Sequence, residues 1–568
     1  MSVYDVSDPG SFERLRPHPL ASKAHILLTS IFGPYARNDE FGSRILNPME
    51  LYHNQVTRSQ GVFSLRMFHR SCALKMIQAN IDAPCRVLDY PDLDRFIAEL
   101  RTKPYDIIGI SAIPCNLKKV RKMCGLIREH QPRAEIVVGG HISNIVDLEK
   151  LIDADYIVRG EGIRWFRKFL GQEEDAPICH PHIISAINPR CMGLNLGGGK
   201  GNTAAVLIPS VGCPVGCNFC STSAMFGGKG KYVPFYKTGD ELFDVMCGLE
   251  EGMGVRSFMV MDENFLLPRK RTLRLLELME SHEKSWSLYI FSSADVLQSY
   301  TMEQLVGLGI AWVWIGLESK NVRYPKLQGL NTFSLVRELQ ANGILVLGST
   351  IIGLEHHSPE NIQDVIQWAV HHKTDFHQFM LYTAVHGTPL SAELEKKGAL
   401  LPESELEEAD AHGQYRFNYR HPHFKPGQET HFLEEAFLRD FEANGPSVLR
   451  MMRTLLQGWK KHKNHLNPRI RKRFAIAIKE MPTLYAGALW ASHHWFEKNP
   501  EISGKIKDIL DDIHSEFGLK SRFAAPVIGR YILHSLRKEE RRLAAGATYE
   551  PPTSYESSAE AFRPTGRA

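Results

Sequence analysis

Three cysteines, Cys213, Cys217 and Cys220, lie close together in the stretch VGCPVGCNFCSTSAMFGG. A CxxxCxxC run on a loop brings three soft thiolates within reach of one iron–sulfur cluster. Pro214 and Gly216 keep the run out of regular helix and hold the loop open around its thiols. Four-iron clusters usually take four protein thiolates, so three leave one iron free to bind something else. A structural zinc site would want a fourth ligand nearby, and a CxxC redox pair would use only Cys217 and Cys220. Neither accounts for Cys213 directly behind an apolar run. A second group, Cys179, His180, His182 and Cys191, has the spacing of no common zinc pattern. Cys72, Cys85, Cys115 and Cys124 are scattered through apparent helix and strand and read as small buried hydrophobes.

The elements around the loop follow a βα rhythm. From Thr203 the apolar runs TAAVLIPS, VRSFMVMD, WSLYIFSS, IAWVWIGLES, ILVLGSTIIG and FHQFMLYT alternate with helical stretches. Six such units predict a partial parallel (βα)6 barrel over residues 203–395, with its chemistry at the carboxyl ends of the strands. The cysteines follow the first of these strands. Upstream, residues 24–170 read as a separate doubly wound, Rossmann-like α/β domain. Its strands are HILLTSIF, CRVLDY, DIIGISA, EIVVGG and YIVRGEG, and LRMFHRSCALKMIQANI is its first helix. Small residues end three of these strands: Ser111, Gly139–Gly140 followed by His141, and Gly160-Glu161-Gly162. Together on one sheet edge they predict a ligand surface. Residues 1–23 read as an N-terminal extension, 171–202 as a linker, 396–545 as a helical C-terminal domain and 546–568 as a disordered tail.

The 568 residues are 43% hydrophobic and 23% charged, with a formal net charge of +4, which argues against a nucleic-acid binder. Ten cysteines are too sparse for a disulfide scaffold and suggest a reducing compartment. The N-terminus reads as no signal peptide and no apolar run is long enough to span a bilayer, so a cytoplasmic location is expected. Between residues 450 and 545, basic clusters such as KKHKNHLNPRIRKRF flank a stretch containing Trp490 and Trp495. Basic groups beside Trp suit a helix on anionic headgroups, so peripheral contact with a membrane's inner face is expected here; a packed core is the alternative.

On these residues the chain resembles the radical S-adenosylmethionine (SAM) superfamily, whose signature is CxxxCxxC with an aromatic residue before the last cysteine, here Phe219. The resemblance implies a 4Fe–4S cluster on Cys213, Cys217 and Cys220, and SAM bound by the strand ends. Those ends are Asp262, Glu263 and Asn264 in MDENF, Ser293, Glu318 and Ser319 in GLES, and Ile351 and Gly353 in STIIGLE. TAVHGTPL is similar to a TPxPGTPL element, with Ala384 and His386 in place of its prolines. The upstream domain resembles the cobalamin-binding domain that is fused to some of these barrels. Ser111, Gly139 and Gly140 match its serine and double-glycine loops, and His141, Gly160, Glu161 and Gly162 share the edge. The DxHxxG motif that supplies a cobalt ligand is not seen, although His53 and His69 lie in the region. This implies base-off cobalamin with no lower histidine.

The resemblance further implies hydrogen abstraction by a 5′-deoxyadenosyl radical, methylation of an unactivated carbon, and a reducing partner such as flavodoxin or ferredoxin. The substrate would be a small molecule or a lipid such as a polycyclic isoprenoid. A non-methylating cyclase or oxidative enzyme of the same architecture is the alternative, and an iron–sulfur sensor or electron carrier a more distant one.

Overall fold

The computed structural model describes residues 2–35, 37–42, 46–47, 49–197, 203–320, 327 and 329–558. In chain order the first strands are β1 (Ser2–Asp5), β2 (Ile26–Thr29), β3 (Arg66–Phe68), β4 (Cys85–Asp89), β5 (Ile107–Ser111), β6 (Glu135–Gly139) and β7 (Tyr156–Arg159). Next come β8 (Ile187–Cys191), β9 (Leu194–Asn195), β10 (Ala204–Leu207), β11 (Ser210–Val211), β12 (Val233–Pro234) and β13 (Ser257–Val260). The last are β14 (Ser287–Ser292), β15 (Ile310–Glu318), β16 (Leu345–Ile352), β17 (Phe376–Leu381) and β18 (Ser554–Ser557).

One sheet has the order β1-β7-β6-β5-β2-β4-β18. Its centre, β7 to β4, is parallel and doubly wound, and the strand order reverses between β2 and β5. β2 is buried at all four positions, as a parallel strand covered on both faces must be. A second sheet, β10-β13-β14-β15-β16-β17, is parallel throughout and follows chain order. It is the expected six-stranded partial barrel. Helices between its strands bear clear start and stop signals, such as the Thr238–Glu241 capping box that opens Gly239–Met253 and Gly254 at φ +65° that closes it. Beyond residue 427 the chain is helical: Gln428–Asn444, Ser447–His462, Pro468–Ala477, Ala486–Trp495, Pro500–Phe517 and Leu519–Ala544.

Five local expectations need correction. The N-terminal extension contributes β1, parallel to β7 at one edge of the first sheet. The tail expected to be disordered contributes β18, antiparallel to β4 at the other edge. Both are short edge strands whose pairing comes from distant sequence. The linker holds β8 and β9, which form a three-stranded sheet with β3. In consequence LRMFHRSCALKMIQANI is not one helix: Arg66–Phe68 is extended to meet β8, and the helix starts at Cys72. Lastly, the aromatic stretch expected to face a lipid surface is packed inward. Trp490 lies so close to Gly529 that a Cβ there would stand 2.4 Å from its ring, and the Trp495 ring is 6.2 Å from that of Phe63.

Candidate active site

The cysteine loop leaves β10 and is closed at its base by the short antiparallel pair β11–β12. Inside it, Gly230 N–H donates to Pro214 O at 2.8 Å, Ser223 Oγ to Cys213 O at 2.7 Å, and Cys220 N–H to Cys217 O at 3.1 Å. Gly216, at φ +72°, lets the chain after Cys213 pass Lys229, whose Cβ would be 2.5 Å from an added Cβ. Cys220 caps the short helix Ser221–Met225. The three thiols are half-buried and close enough that Cys217 and Cys220 both act on Cys213, whose thiol is pushed up to about 11, chiefly by burial. Among the described residues no three His, Cys, Asp or Glu side chains converge on a single metal ion. Three thiols on one half-buried loop suit a cubane instead, because each thiolate binds a different iron.

The loop is tied across the barrel mouth to the sixth strand. Asn218 Nδ2 donates to the Tyr382 hydroxyl at 3.1 Å, Leu390 N–H to Asn218 O at 3.0 Å, and the Phe219 and Tyr382 rings lie 5.8 Å apart. Phe219 thus holds the loop in place.

The other predicted strand-end residues fall into two groups. Asp262 is structural in its contacts: it accepts from Ser210 Oγ at 2.7 Å and Asn264 N–H at 3.1 Å, and pairs with Arg271 at 3.0 Å, both side chains buried. Asn264 joins the second strand end to the third, accepting from Ser292 Oγ and donating to Ser293 Oγ. Gly353 lies beneath the Phe417 ring, 2.1 Å from where a Cβ would sit, and Ile351 is buried beside it.

Glu263, Glu318 and Ser319 face the site differently. Glu263 Oε2 is buried without a partner, and burial beside Asp262 pushes its carboxyl up to about 7. Its charge also acts on Cys213. Glu318 sits at a register shift at the end of β15 with φ +61°, a strained backbone for a side chain of its size. Ser319 receives a hydrogen bond from His357, which was not anticipated. The His357 Nδ1 accepts from the N–H groups of Gly353 and Leu354, so Nε2 carries the proton and donates to Ser319 Oγ at 2.9 Å. The HHSPE segment bears no sequence signal for that role.

The barrel interior was also missed. Along β14 and β15 the helix-facing residues Leu288, Ile290, Val313, Ile315 and Leu317 are buried, while Tyr289, Phe291, Trp312 and Trp314 are only half-buried. In a filled barrel the interior side chains are packed, so this pattern marks an open interior. Tyr289 lies deep enough for burial to raise its hydroxyl pKa, yet its side chain retains accessible surface. Phe291 and Trp314 stack at 5.1 Å and Trp312 and Phe376 at 4.8 Å, with Tyr52 closing the floor. The alternation of aromatic residues in SLYIF and AWVWI was the available signal.

The first sheet presents its strand ends to this mouth. The turn His141–Asn144 packs against helix Ser221–Met225, Gly387 touches Asn144, and Gly160 lies against Met225. Gly140, at φ +86°, packs on Ser111 and Ala112, where a Cβ would meet Ala112 O at 2.6 Å. Gly139 pairs with Ser111. Two buried polar atoms here, His141 Nδ1 and Asn144 Nδ2, have no partner, which fits a polar ligand between the domains. Glu161 and Gly162 lie elsewhere in function: the Glu161 carboxylate caps helix Gly162–Phe169 and Gly162 packs on Ile77. His53 accepts from Arg66 at 2.9 Å, and burial holds it down to about 3, hence neutral. His386 pairs with Glu408 at 3.1 Å, and Asn418 brackets Ala384 through both its N–H and its carbonyl.

Residues 60–170 match the B12-binding domain. The chain is similar to bacteriochlorophyllide d C-12(1)-methyltransferase of Chlorobaculum tepidum, 26% identical over 52% of this chain and 66% of that protein. It is also similar to the anaerobic magnesium-protoporphyrin IX monomethyl ester cyclase of Cereibacter sphaeroides, 23% identical over 54% of this chain and 56% of that protein. Among solved structures, the radical SAM methyltransferase TsrM from Kitasatospora setae, with cobalamin and a [4Fe–4S] cluster bound, aligns with TM-score 0.49 and 16% identity over 81% of this chain and 99% of that one. The matched B12-binding domain and the cysteine loop on a parallel six-stranded barrel meet at one mouth. The B12-binding match at residues 60–170 thus lies against the cysteine loop of the six-stranded parallel sheet, in a chain similar to named methyltransferases and to a cyclase.

Proposed function

We propose that the enzyme removes hydrogen from an unactivated carbon of an apolar substrate in the barrel interior and methylates that carbon. The observation that carries this reading is the meeting of the Ser221–Met225 helix with the His141–Asn144 turn, which sets the cysteine loop and the B12-binding domain against one space. When bound, the cluster supplies the electron that splits SAM and cobalamin carries the methyl group.

The chain's own residues hold and exclude. Cys213, Cys217 and Cys220 would hold the cluster, in a loop fixed by β11–β12 and by Asn218 on Tyr382. Glu263, with its unpartnered oxygen, is the carboxylate placed to accept an ammonium group. Ser319 has its oxygen occupied by His357 N–H, which turns its own hydroxyl proton toward an acceptor such as a ribose oxygen. Ser111, Gly139, Gly140 and His141 would line the cobalamin side, and an external one-electron donor such as flavodoxin or ferredoxin would complete the system. Phe291, Trp314, Trp312 and Phe376 offer an apolar, water-poor wall, which supports a substrate with large apolar area such as a polycyclic isoprenoid.

A second reading, a non-methylating cyclase, is favoured by the alignment with a protein named as a cyclase over 54% of this chain. Products separate the two. Anaerobically reconstituted enzyme with reductant, SAM, cobalamin and an apolar acceptor is expected to release S-adenosylhomocysteine and 5′-deoxyadenosine together. 5′-Deoxyadenosine alone would replace methylation by cyclisation or oxidation. Neither product under strong reduction would contradict both.

A further inference from the structure

The last long helix, Leu519–Ala544, exposes an apolar stripe. Leu519, Phe523, Val527 and Tyr531 are 73%, 72%, 67% and 66% exposed. Their four-residue spacing places them on one side of the helix. The opposite side, with Ser521, Ala525, Gly529, Ile532 and Leu536, is buried against helix Ala486–Trp495 and residues 481–485. The exposed side chains are therefore not a mispacked core face. The helix already has its core contacts, and this is a second apolar face.

The charge around the stripe is of one sign. From Leu519 to Lys538 the sequence holds Lys520, Arg522, Arg530, Arg537 and Lys538 and no acidic residue. All five are exposed, and among the described residues none of Lys520, Arg522, Arg537 and Lys538 makes an ion pair. On a helical projection Lys520, Arg530 and Lys538 fall on the stripe's own side. A protein partner would need a long acidic groove to match this face, whereas an anionic lipid surface accepts apolar side chains below its headgroups and basic ones among them. No helix among the described residues is long and apolar enough to cross a membrane, so contact would be in the plane of the surface.

We propose that the exposed face of Leu519–Ala544 docks the protein on anionic phospholipid. This surface is separate from the barrel mouth, and its test does not depend on the proposed chemistry.

The full-length protein is sedimented with phosphatidylcholine vesicles and with vesicles containing phosphatidylglycerol, at low and high salt. Binding is expected only to the anionic vesicles and is expected to fall with salt. Phe523→Glu with Val527→Glu should weaken it by more than about tenfold, through lost apolar burial. Lys520→Gln and Arg530→Gln should each weaken it roughly fivefold. Unchanged melting temperature and iron content keep these surface variants interpretable. Recovery in the supernatant with every vesicle, or full binding by the double variant, overturns the proposal. So does a concentration-dependent dimer that Phe523→Glu dissociates, which would make the stripe a contact between two copies of this chain.

Discussion

The Asn218 side chain donates to the Tyr382 hydroxyl at 3.1 Å, joining the cysteine loop behind the first barrel strand to the end of the sixth. Among the described residues β10 and β17, the two edges of the open barrel, are not paired with each other. This bond, the Leu390 N–H to Asn218 O bond and the Phe219–Tyr382 ring contact all span the gap. Tyr382→Phe keeps the ring and removes the hydrogen bond, a loss of about 1 kcal/mol. The variant should assemble its cluster and then release iron to a chelator several-fold faster than the parent. Equal release rates would show that the bridge does not hold the loop.

Asp262 and Arg271 form a buried pair at the end of the second strand. Removing one partner leaves the other charge buried, so Arg271→Ala should destabilise the fold by about 3–5 kcal/mol. Denaturant unfolding measures this. A loss under about 1 kcal/mol, with SAM affinity reduced instead, would assign Asp262 to ligand binding rather than to the scaffold.

The buried His357 is held neutral, its pKa lowered to about 3, chiefly by burial. In the unfolded chain it titrates near 6.5, so between about pH 6.5 and 3 the unfolded state binds the extra proton. Stability therefore falls as pH drops through that window and is unaffected above it. At pH 5 this one residue accounts for about 2 kcal/mol. His357→Gln should show a correspondingly flatter loss of stability between pH 7.5 and 5 than the parent. Parallel curves would show that His357 is not buried neutral.

Gly140 combines φ +86° with an approach to Ala112 O that leaves no room for a Cβ. Gly140→Val should displace the His141–Asn144 turn and weaken cobalamin uptake, read from the visible spectrum, by at least about tenfold. His53→Ala, at a ring that accepts from Arg66, should leave the cobalt spectrum unchanged. The reverse pattern would move the cobalamin site.

Much of this was legible in the residues. ILLT, IIGIS and EIVVG are apolar enough to be strands in any context, and the parallel sheets followed from them. β1 and β18, SVYD and SYES, carry no such signal, because each gains its structure from a partner edge more than a hundred residues away. Glu161 read as a ligand beside two glycines, but a carboxylate one residue ahead of a helix is equally a cap. The exposed stripe was hidden because apolar residues lie on both sides of Leu519–Ala544, and only packing tells which side is covered.

The central claim is that Cys213, Cys217 and Cys220 hold the cluster that opens SAM beside the B12-binding domain. Its most direct test is iron content and SAM cleavage after anaerobic reconstitution of single cysteine variants. Cys213→Ala, Cys217→Ala and Cys220→Ala should each lose the brown four-iron chromophore and 5′-deoxyadenosine formation together, while Cys179→Ala, Cys191→Ala and Cys247→Ala keep both. A triple Cys213, Cys217 and Cys220 variant that retains about four irons per chain would contradict the account.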